Sequence, residues 1–329
     1  MIISRTPLRM SFVGGGTDLE SYYRHEHGAI VSTTIDKYVY IMIDNYYDKD
    51  KIRLSYSRLE EVTDPDNIKH DIIREAIKLT KTPKGIALIV HSEVPSKGSG
   101  LGSSSTFTVG LLNVLYAYQG KRKSAHDLAE EASRIEIDIL KNPIGKQDQY
   151  AAAFGGFNYI TFNSDGSVFV DPVVMSKKIK SKLQKNLIVF NTGITKRSNH
   201  ALSHQKKKME KEKDTIQTMN MMKNLTINIQ DSLSKGDIKD FGVLLHKNWL
   251  LKKQLSNKIS NHDMDKVYEK GLKAGAIGGK LLGAGGRGYM VFYCEKKHQE
   301  KLRGALKDLR ELEYSFEPEG SKIIYLDEK

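Results

Sequence analysis

The chain has 329 residues, enough for one large or two ordinary domains, and at 39% hydrophobic and 28% charged it reads as globular, with no apolar run long enough to span a membrane. Its formal charge of +12 raises the question of nucleic acid, but aromatic residues are not interleaved with the basic ones. Much of the excess lies in Lys196 to Lys213, where Lys206, Lys207, Lys208 and Lys211 read as a solvated helix face. A positive field equally suits anionic small molecules, so those are the partners expected, with no nucleic acid and no membrane. The single cysteine, Cys294, sits in the apolar run from Tyr289 and reads as a buried strand residue. With no signal-peptide block after Met1, a cytoplasmic protein is expected.

Taken in order, residues 2–13 read as an opening strand that runs into Gly14, Gly15, Gly16, Thr17 and Asp18. The glycines allow a tight turn and a close backbone approach, and Thr17 and Asp18 suit a polyol. Asp18 as the cap of a helix through Tyr22 is the plainer reading. Tyr38 to Tyr46 and Ile52 to Tyr56 pattern as antiparallel strands, and Asn67 to Leu79 as a helix.

The strand Gly85 to Val94 leads into Pro95 to Ser105, and a helix follows from Thr106 to Gln119 with Phe107, Leu111, Leu115 and Tyr118 on its inner face. Lys97, Gly98, Ser99, Gly100, Leu101, Gly102, Ser103, Ser104 and Ser105 therefore form a glycine-rich loop at a helix N-terminus. Glycines admit a ligand to the backbone, and the serines bring hydroxyls and helix caps to the positive end of the helix. The loop reads as a phosphate cradle. It is no Walker A, since no lysine follows its last glycine, and no dinucleotide fingerprint, since Ser103 stands where the third glycine belongs.

A second helix spans Ser124 to about Leu140, with Leu128, Ala132, Ile135 and Ile139 inward and Glu136 beside them, and stops at Asn142-Pro143. Asp148 leads a short apolar helix, either as a plain cap or as a working acid. A hairpin over Gly155 to Val170 ends near Asp171-Pro172, where a boundary divides the chain into domains 1–172 and 173–329. Beyond lie a strand at Leu187 to Asn191, the stretch Thr192, Gly193, Ile194, Thr195, Lys196 and Arg197, and helices over about 198–234, 237–256 and 263–273. Gly283 to Gly288 fits Gly-x-Gly-x-x-Gly, but a strand follows it instead of a helix, so a dinucleotide site is excluded. A helix from His298 and a last strand near Ile323 close the chain.

The segments Pro7 to Asp18, Pro95 to Ser105 and Lys280 to Gly288, with Asp148 between the last two, resemble the GHMP kinases in order and spacing. The resemblance covers nearly the whole chain and implies an α+β, two-domain GHMP kinase fold. Its N-terminal ATP-binding domain is like ribosomal protein S5 domain 2, and its C-terminal domain is ferredoxin-like. It also implies ATP and Mg²⁺ as cofactors, with residues 97–105 around the phosphates and Ser104 and Glu136 as metal ligands. Asp148 would take or orient the acceptor proton, with Arg9 stabilising it and the transferring phosphoryl group.

On the same resemblance Gly15, Gly16, Thr17, Asp18, Thr192, Gly193, Lys196, Arg197, Gly285 and Gly286 contact the substrate. Galactokinases read Gly-Glu-His-Thr-Asp where this chain has Gly14 to Asp18, so a carboxylate is missing at Gly15. That makes room for something larger and negative, with Lys196 and Arg197 as the cations for it. Arg5 to Asp18 is most similar to the branch that phosphorylates D-glycero-D-manno-heptose 7-phosphate at C1, for a surface polysaccharide. The substrate implied is thus a small sugar phosphate, and a homodimer is admitted. A kinase of an unphosphorylated sugar such as L-fucose or galactose stays open, as does a non-catalytic sugar and ATP sensor.

Overall fold

A computed structural model describes residues 1–95, 98–193 and 213–327. Two long strands, β1 (Ile2–Val13) and β2 (Gly28–Asn45), run antiparallel and form the spine of the larger sheet. Strands β3 (Ile52–Ser55), β4 (Leu59–Val62) and β5 (Ile86–Ser92) extend it beyond β2, with β3 and β5 parallel and the other pairs antiparallel. The hairpin β6 (Phe157–Phe162) and β7 (Val168–Pro172) pairs with the first half of β2. The register of β1 against β2 slips between Pro7 and Leu8 and again between Ser11 and Val13. These irregularities flank Arg9 and Ser11, and such slips re-aim side chains at the end of a strand.

Helices Asp71–Thr80, Ser103–Tyr118, Ala125–Ser133 and Gln147–Phe154 pack with this sheet. The helix 103–118 is apolar on nearly every side and is the core's central rod, with Val109, Leu111, Leu112, Val114 and Leu115 fully buried. The second helix does not run to Leu140 as a single α-helix: it is α-helical over Ala125–Ser133 and then π-wound over Arg134–Ile139. The wider winding breaks the 3.6-residue period, so Ile135 and Glu136 are buried while Ile139 is 40% exposed, contrary to the periodic expectation.

A smaller sheet holds β8 (Leu187–Asn191), β9 (Gly278–Leu281), β10 (Tyr289–Tyr293) and β11 (Arg310–Glu311) in the order β11-β8-β10-β9. Helices Lys213–Lys235, Ile238–Leu255 and His262–Lys273 accompany it, and its core gathers Trp249, Tyr268, Phe190 and Phe292. The chain then returns: β12 (Phe316–Glu317) pairs with β2, and β13 (Lys322–Leu326) pairs with β1. A division of the chain at 172 thus leaves two strands of the larger sheet on its far side. Leu19 and Tyr22 reciprocally pack into the core of the smaller unit.

Candidate active site

Where the two sheets' loops meet lies a cleft of about 510 Å³. One wall comes from the end of β1, the 14–18 turn, the 98–105 loop and residues 142–148; the other comes from Lys252, Lys280 and the 283–287 loop. The two glycine loops touch backbone to backbone. Gly100 has φ +76°, and a Cβ on it would stand 2.3 Å from the Leu282 carbonyl oxygen, so only glycine fits. The Tyr289 N–H donates to the Ser99 carbonyl at 3.1 Å and locks the pair together.

The 98–105 loop ends in Gly102, which occupies the N-cap of helix 103–118 in a left-handed conformation. The serines are therefore not caps, as their sequence suggested; Ser103, Ser104 and Ser105 form the first helical turn. No side chain caps this helix, whereas Ser124, Ser176 and Asn261 cap theirs. Its leading N–H groups are thus left to the cleft, at the positive end of the helix dipole. Ser99 and Ser103 pair through their hydroxyls at 2.9 Å. Leu101 turns away into the core, fully buried, and Lys97 lies outside the described residues.

Across the cleft, Arg9 holds Asp148 in a fork: Nε donates to Oδ1 and an Nη to Oδ2, both at 2.7 Å. The remaining Nη donates to the Gly100 carbonyl at 2.7 Å, so one side chain ties the acid to the glycine loop. Arg9 is 3% exposed, while the Asp148 side chain keeps 23% of its surface open. Asp148 sits in the first turn of helix 147–154 without capping it. Asp18 accepts from the Gln147 backbone N–H at that helix start, from Gln147 Nε2 and from the Gly16 N–H. It is buried at the cleft wall, and burial, reinforced by the Asp148 charge against the hydrogen bond from Gly16, lifts its carboxyl above the ordinary range. The capping role Asp18 plays is for a helix 129 residues away, not for its own neighbour.

Glu136 is fully buried, accepting from Ser104 Oγ at 2.7 Å and from Gln149 Nε2 at 2.8 Å. Burial raises its pKa although the serine and glutamine hydrogen bonds oppose the shift. Ser104 and Glu136 thus bring hard oxygens together at the first turn of helix 103–118, a donor pair that suits Mg²⁺ when other oxygen ligands complete its shell. Among the described residues no cluster of three or more acidic, histidine or cysteine side chains gathers to hold a metal.

Several expected contacts point elsewhere. Thr17 is buried and bonds to the Gly14 and Ala29 carbonyls, because its hydroxyl closes the turn instead of facing a ligand. Thr192 donates to the Gly288 carbonyl at 2.7 Å, and neither it nor Gly193 lines the cleft. Gly285 lines it and Gly286 does not, its N–H being bonded to the Ile259 carbonyl. Lys196 and Arg197 lie outside the described residues.

Comparison with known proteins bears on this site. The GHMP kinases N terminal domain family matches residues 70–156, and the GHMP kinases C terminal family matches residues 229–311. The D-glycero-alpha-D-manno-heptose 7-phosphate kinase of Campylobacter jejuni is 32% identical, over 98% of each chain. The chain belongs to the GHMP kinases. It is a sugar kinase that uses ATP, with the family's α+β fold in N- and C-terminal domains. A structure titled as a D-glycero-D-manno-heptose 1-phosphate kinase from Bacteroides thetaiotaomicron superposes on this GHMP kinase with a TM-score of 0.83, at 26% identity, covering all of both chains. Galactokinase from Lactococcus lactis, at 18% identity and a TM-score of 0.77 over 98% of this chain and 94% of its own, shares the fold.

This GHMP kinase also carries cleft residues that sequence reading did not single out. Lys252 is 4% exposed and donates to the Gly283 carbonyl at 2.6 Å; Lys280 is 1% exposed and donates to the Ser11 carbonyl at 2.6 Å. One signal for Lys252 was available. It falls on the buried stripe Phe241, Leu245, Asn248, Lys252, Leu255 of its helix, where a lysine has no business unless paired or functional. Lys280 opens the third glycine segment, and Gln147 precedes Asp148, so both sat beside residues already marked.

Proposed function

We propose that the protein transfers the γ-phosphoryl group of Mg-ATP to the anomeric hydroxyl of D-glycero-D-manno-heptose 7-phosphate, giving the 1,7-bisphosphate. The observation that carries the chemistry is the Arg9–Asp148 fork, set against an uncapped helix N-terminus in one cleft. Phosphoryl transfer asks mainly for positioning and for neutralisation of charge. The free N–H groups of residues 103–105 and the glycine loop would take the ATP phosphates. Asp148, held in place by Arg9, would orient the acceptor hydroxyl and receive its proton. Arg9, already at the Gly100 carbonyl, would stand beside the transferring group. Ser104 and Glu136 would hold Mg²⁺, which supplies charge neutralisation between the phosphates.

The substrate assignment rests on the relatives. Both the Campylobacter protein and the Bacteroides structure carry the name of a heptose that already bears one phosphate, though the names place it at opposite ends of the sugar. Gln147 Oε1, buried in the cleft wall without a donor among the described residues, is an acceptor a sugar hydroxyl would fill. The test is coupled ADP release with Mg-ATP and a panel of heptose 7-phosphate, heptose 1-phosphate, mannose 6-phosphate, L-fucose and galactose. Preference for heptose 7-phosphate, abolished by Asp148→Asn, is the expected result. Turnover of heptose 1-phosphate alone would reverse the position attacked, and turnover confined to L-fucose or galactose would defeat the substrate assignment. ATP turnover with none of them would leave a sugar-binding sensor as the better account.

A further inference from the structure

Of the three glycines in the first turn, the outer two are imposed by the backbone and the middle one is not. Gly14 and Gly16 have φ of +80° and +109°, while Gly15 is absent from the residues in that region. A Cβ on Gly15 would meet nothing nearer than 3.8 Å, so neither torsion nor packing demands glycine there. Its bare backbone instead faces the cleft, which Ser11, Gln147 and Lys252 also line, and around its Cβ position stand Lys252 Nζ and Ser11 Oγ at 3.8 Å and Gln147 Nε2 at 3.9 Å. Each of these atoms is a hydrogen-bond donor.

Two of these donors lack a proper partner. Ser11 is 3% exposed, and its hydroxyl is buried at the cleft with no hydrogen bond among the described residues. Lys252 uses one of its three N–H groups on a carbonyl and forms no ion pair among the described residues. The two carboxylates whose charge it feels are committed elsewhere, Asp148 to Arg9 and Asp18 to Gly16 and Gln147. Behind Ser11 stands a second buried lysine, Lys280, whose Nζ donates to the Ser11 carbonyl. An ammonium in the interior without a counter-ion is costly, and a structure keeps one where an anion arrives to complete it.

We propose that the space facing Gly15, bounded by Lys252, Ser11 and Gln147, receives the phosphate that the sugar substrate already carries. This rests on the reading of the protein as a kinase of a sugar phosphate. The phosphate oxygens accept from the free N–H groups of Lys252 and from Ser11 Oγ, and the Lys280 side chain stands behind them. A larger side chain at position 15 would fill the subsite, and an acidic one would take the ammonium for itself.

The test compares wild type, Lys252→Met and Gly15→Glu on a heptose 7-phosphate and on the same heptose without phosphate, with Mg-ATP throughout. Lys252→Met is expected to lose roughly 10- to 100-fold in kcat/KM on the phosphorylated sugar, mostly through KM, and little on the other. Gly15→Glu is expected to do the same. Equal losses on both sugars would overturn the proposal and move Lys252 to the transferring phosphoryl group, which its contact with the 283 carbonyl beside Gly100 makes the rival site. Inorganic phosphate, titrated by calorimetry into wild type and Lys252→Met with ATP absent and again with ATP bound, tests the subsite without any turnover. Phosphate binding that persists beside ATP and is lost in the variant supports the subsite; binding that ATP abolishes, that the variant retains, or that wild type lacks overturns it. A protein inactive on every heptose but binding phosphate in this way would fail the heptose assignment and keep the subsite.

Discussion

Arg9 and Asp148 lie 139 residues apart and meet through two hydrogen bonds of 2.7 Å, with the guanidinium buried and the carboxylate half open to the cleft. A planar fork matched to both carboxylate oxygens fixes the acid in position and in orientation. Its third contact, to the Gly100 carbonyl, makes the acid and the glycine loop one rigid unit.

Asp148→Asn keeps an oxygen for Arg9 Nε and removes the proton acceptor. A fall in kcat of roughly 10²- to 10⁴-fold is expected, with ATP binding retained. Steady-state kinetics beside a nucleotide titration check it, and a variant that turns over at more than a tenth of the wild-type rate would leave Asp148 a purely structural partner of Arg9.

Gly100→Ala and Gly15→Ala should part company in stability. The first puts a Cβ against the Leu282 carbonyl at a left-handed φ and should destabilise by about 2 kcal/mol or more, with weaker ATP binding. The second meets only side-chain ends at 3.8 Å or beyond and should stay within about 0.5 kcal/mol of wild type. Urea unfolding of the two variants gives the comparison directly.

Glu136→Gln removes the buried carboxylate from beside Ser104. Nucleotide binding in wild type is expected to strengthen with added Mg²⁺, and in the variant to lose most of that dependence, on the order of tenfold or more. Because burial raises the Glu136 pKa, protons compete with the metal at a higher pH than at an ordinary carboxylate, so the Mg²⁺ effect in wild type fades as pH falls. Nucleotide titrations at several pH values, with Mg²⁺ and with chelator, would show either pattern.

Lys252 links the site to stability. Burial pushes its ammonium down to about 8, against the attraction of Asp18. Since the folded value lies below the unfolded one, the buried charge weighs on the fold fully below pH 8 and is relieved as pH rises towards the unfolded pKa. Lys252→Met should therefore unfold later than wild type at pH 7, by up to about 3 kcal/mol, with the difference shrinking by pH 10. Lys280, whose pKa is depressed by burial and by the Lys252 charge beside it, adds to the difference in the same direction, since the methionine removes that repulsion. Equal stability at pH 7 would mean that Lys252 finds a better-solvated environment than its burial implies.

Local pattern made a good deal of this protein legible. The glycine-rich segments, the apolar faces of helices 71–80 and 103–118, the breaker at Asn142-Pro143, the strand before Gly98 and the strand after Gly288 all follow from side-chain spacing and backbone freedom within a dozen residues. The roles of Arg9, Ser104, Glu136 and Asp148 came from the resemblance that those segments carry. Tertiary structure decided what spacing does not carry. Ile139 faces out because the helix changes its winding, Thr17 faces in to close a turn, and Asp18 caps a helix far along the chain. Strands β12 and β13 rejoin the first sheet because its edge and the β2 backbone offer them hydrogen bonds, a need invisible in five or fewer residues of sequence. Cations divide in the same way: Lys196 and Arg197 drew attention by their position after Gly193 in the sequence, but burial, a property of the assembled core, is what singles out Lys252 and Lys280.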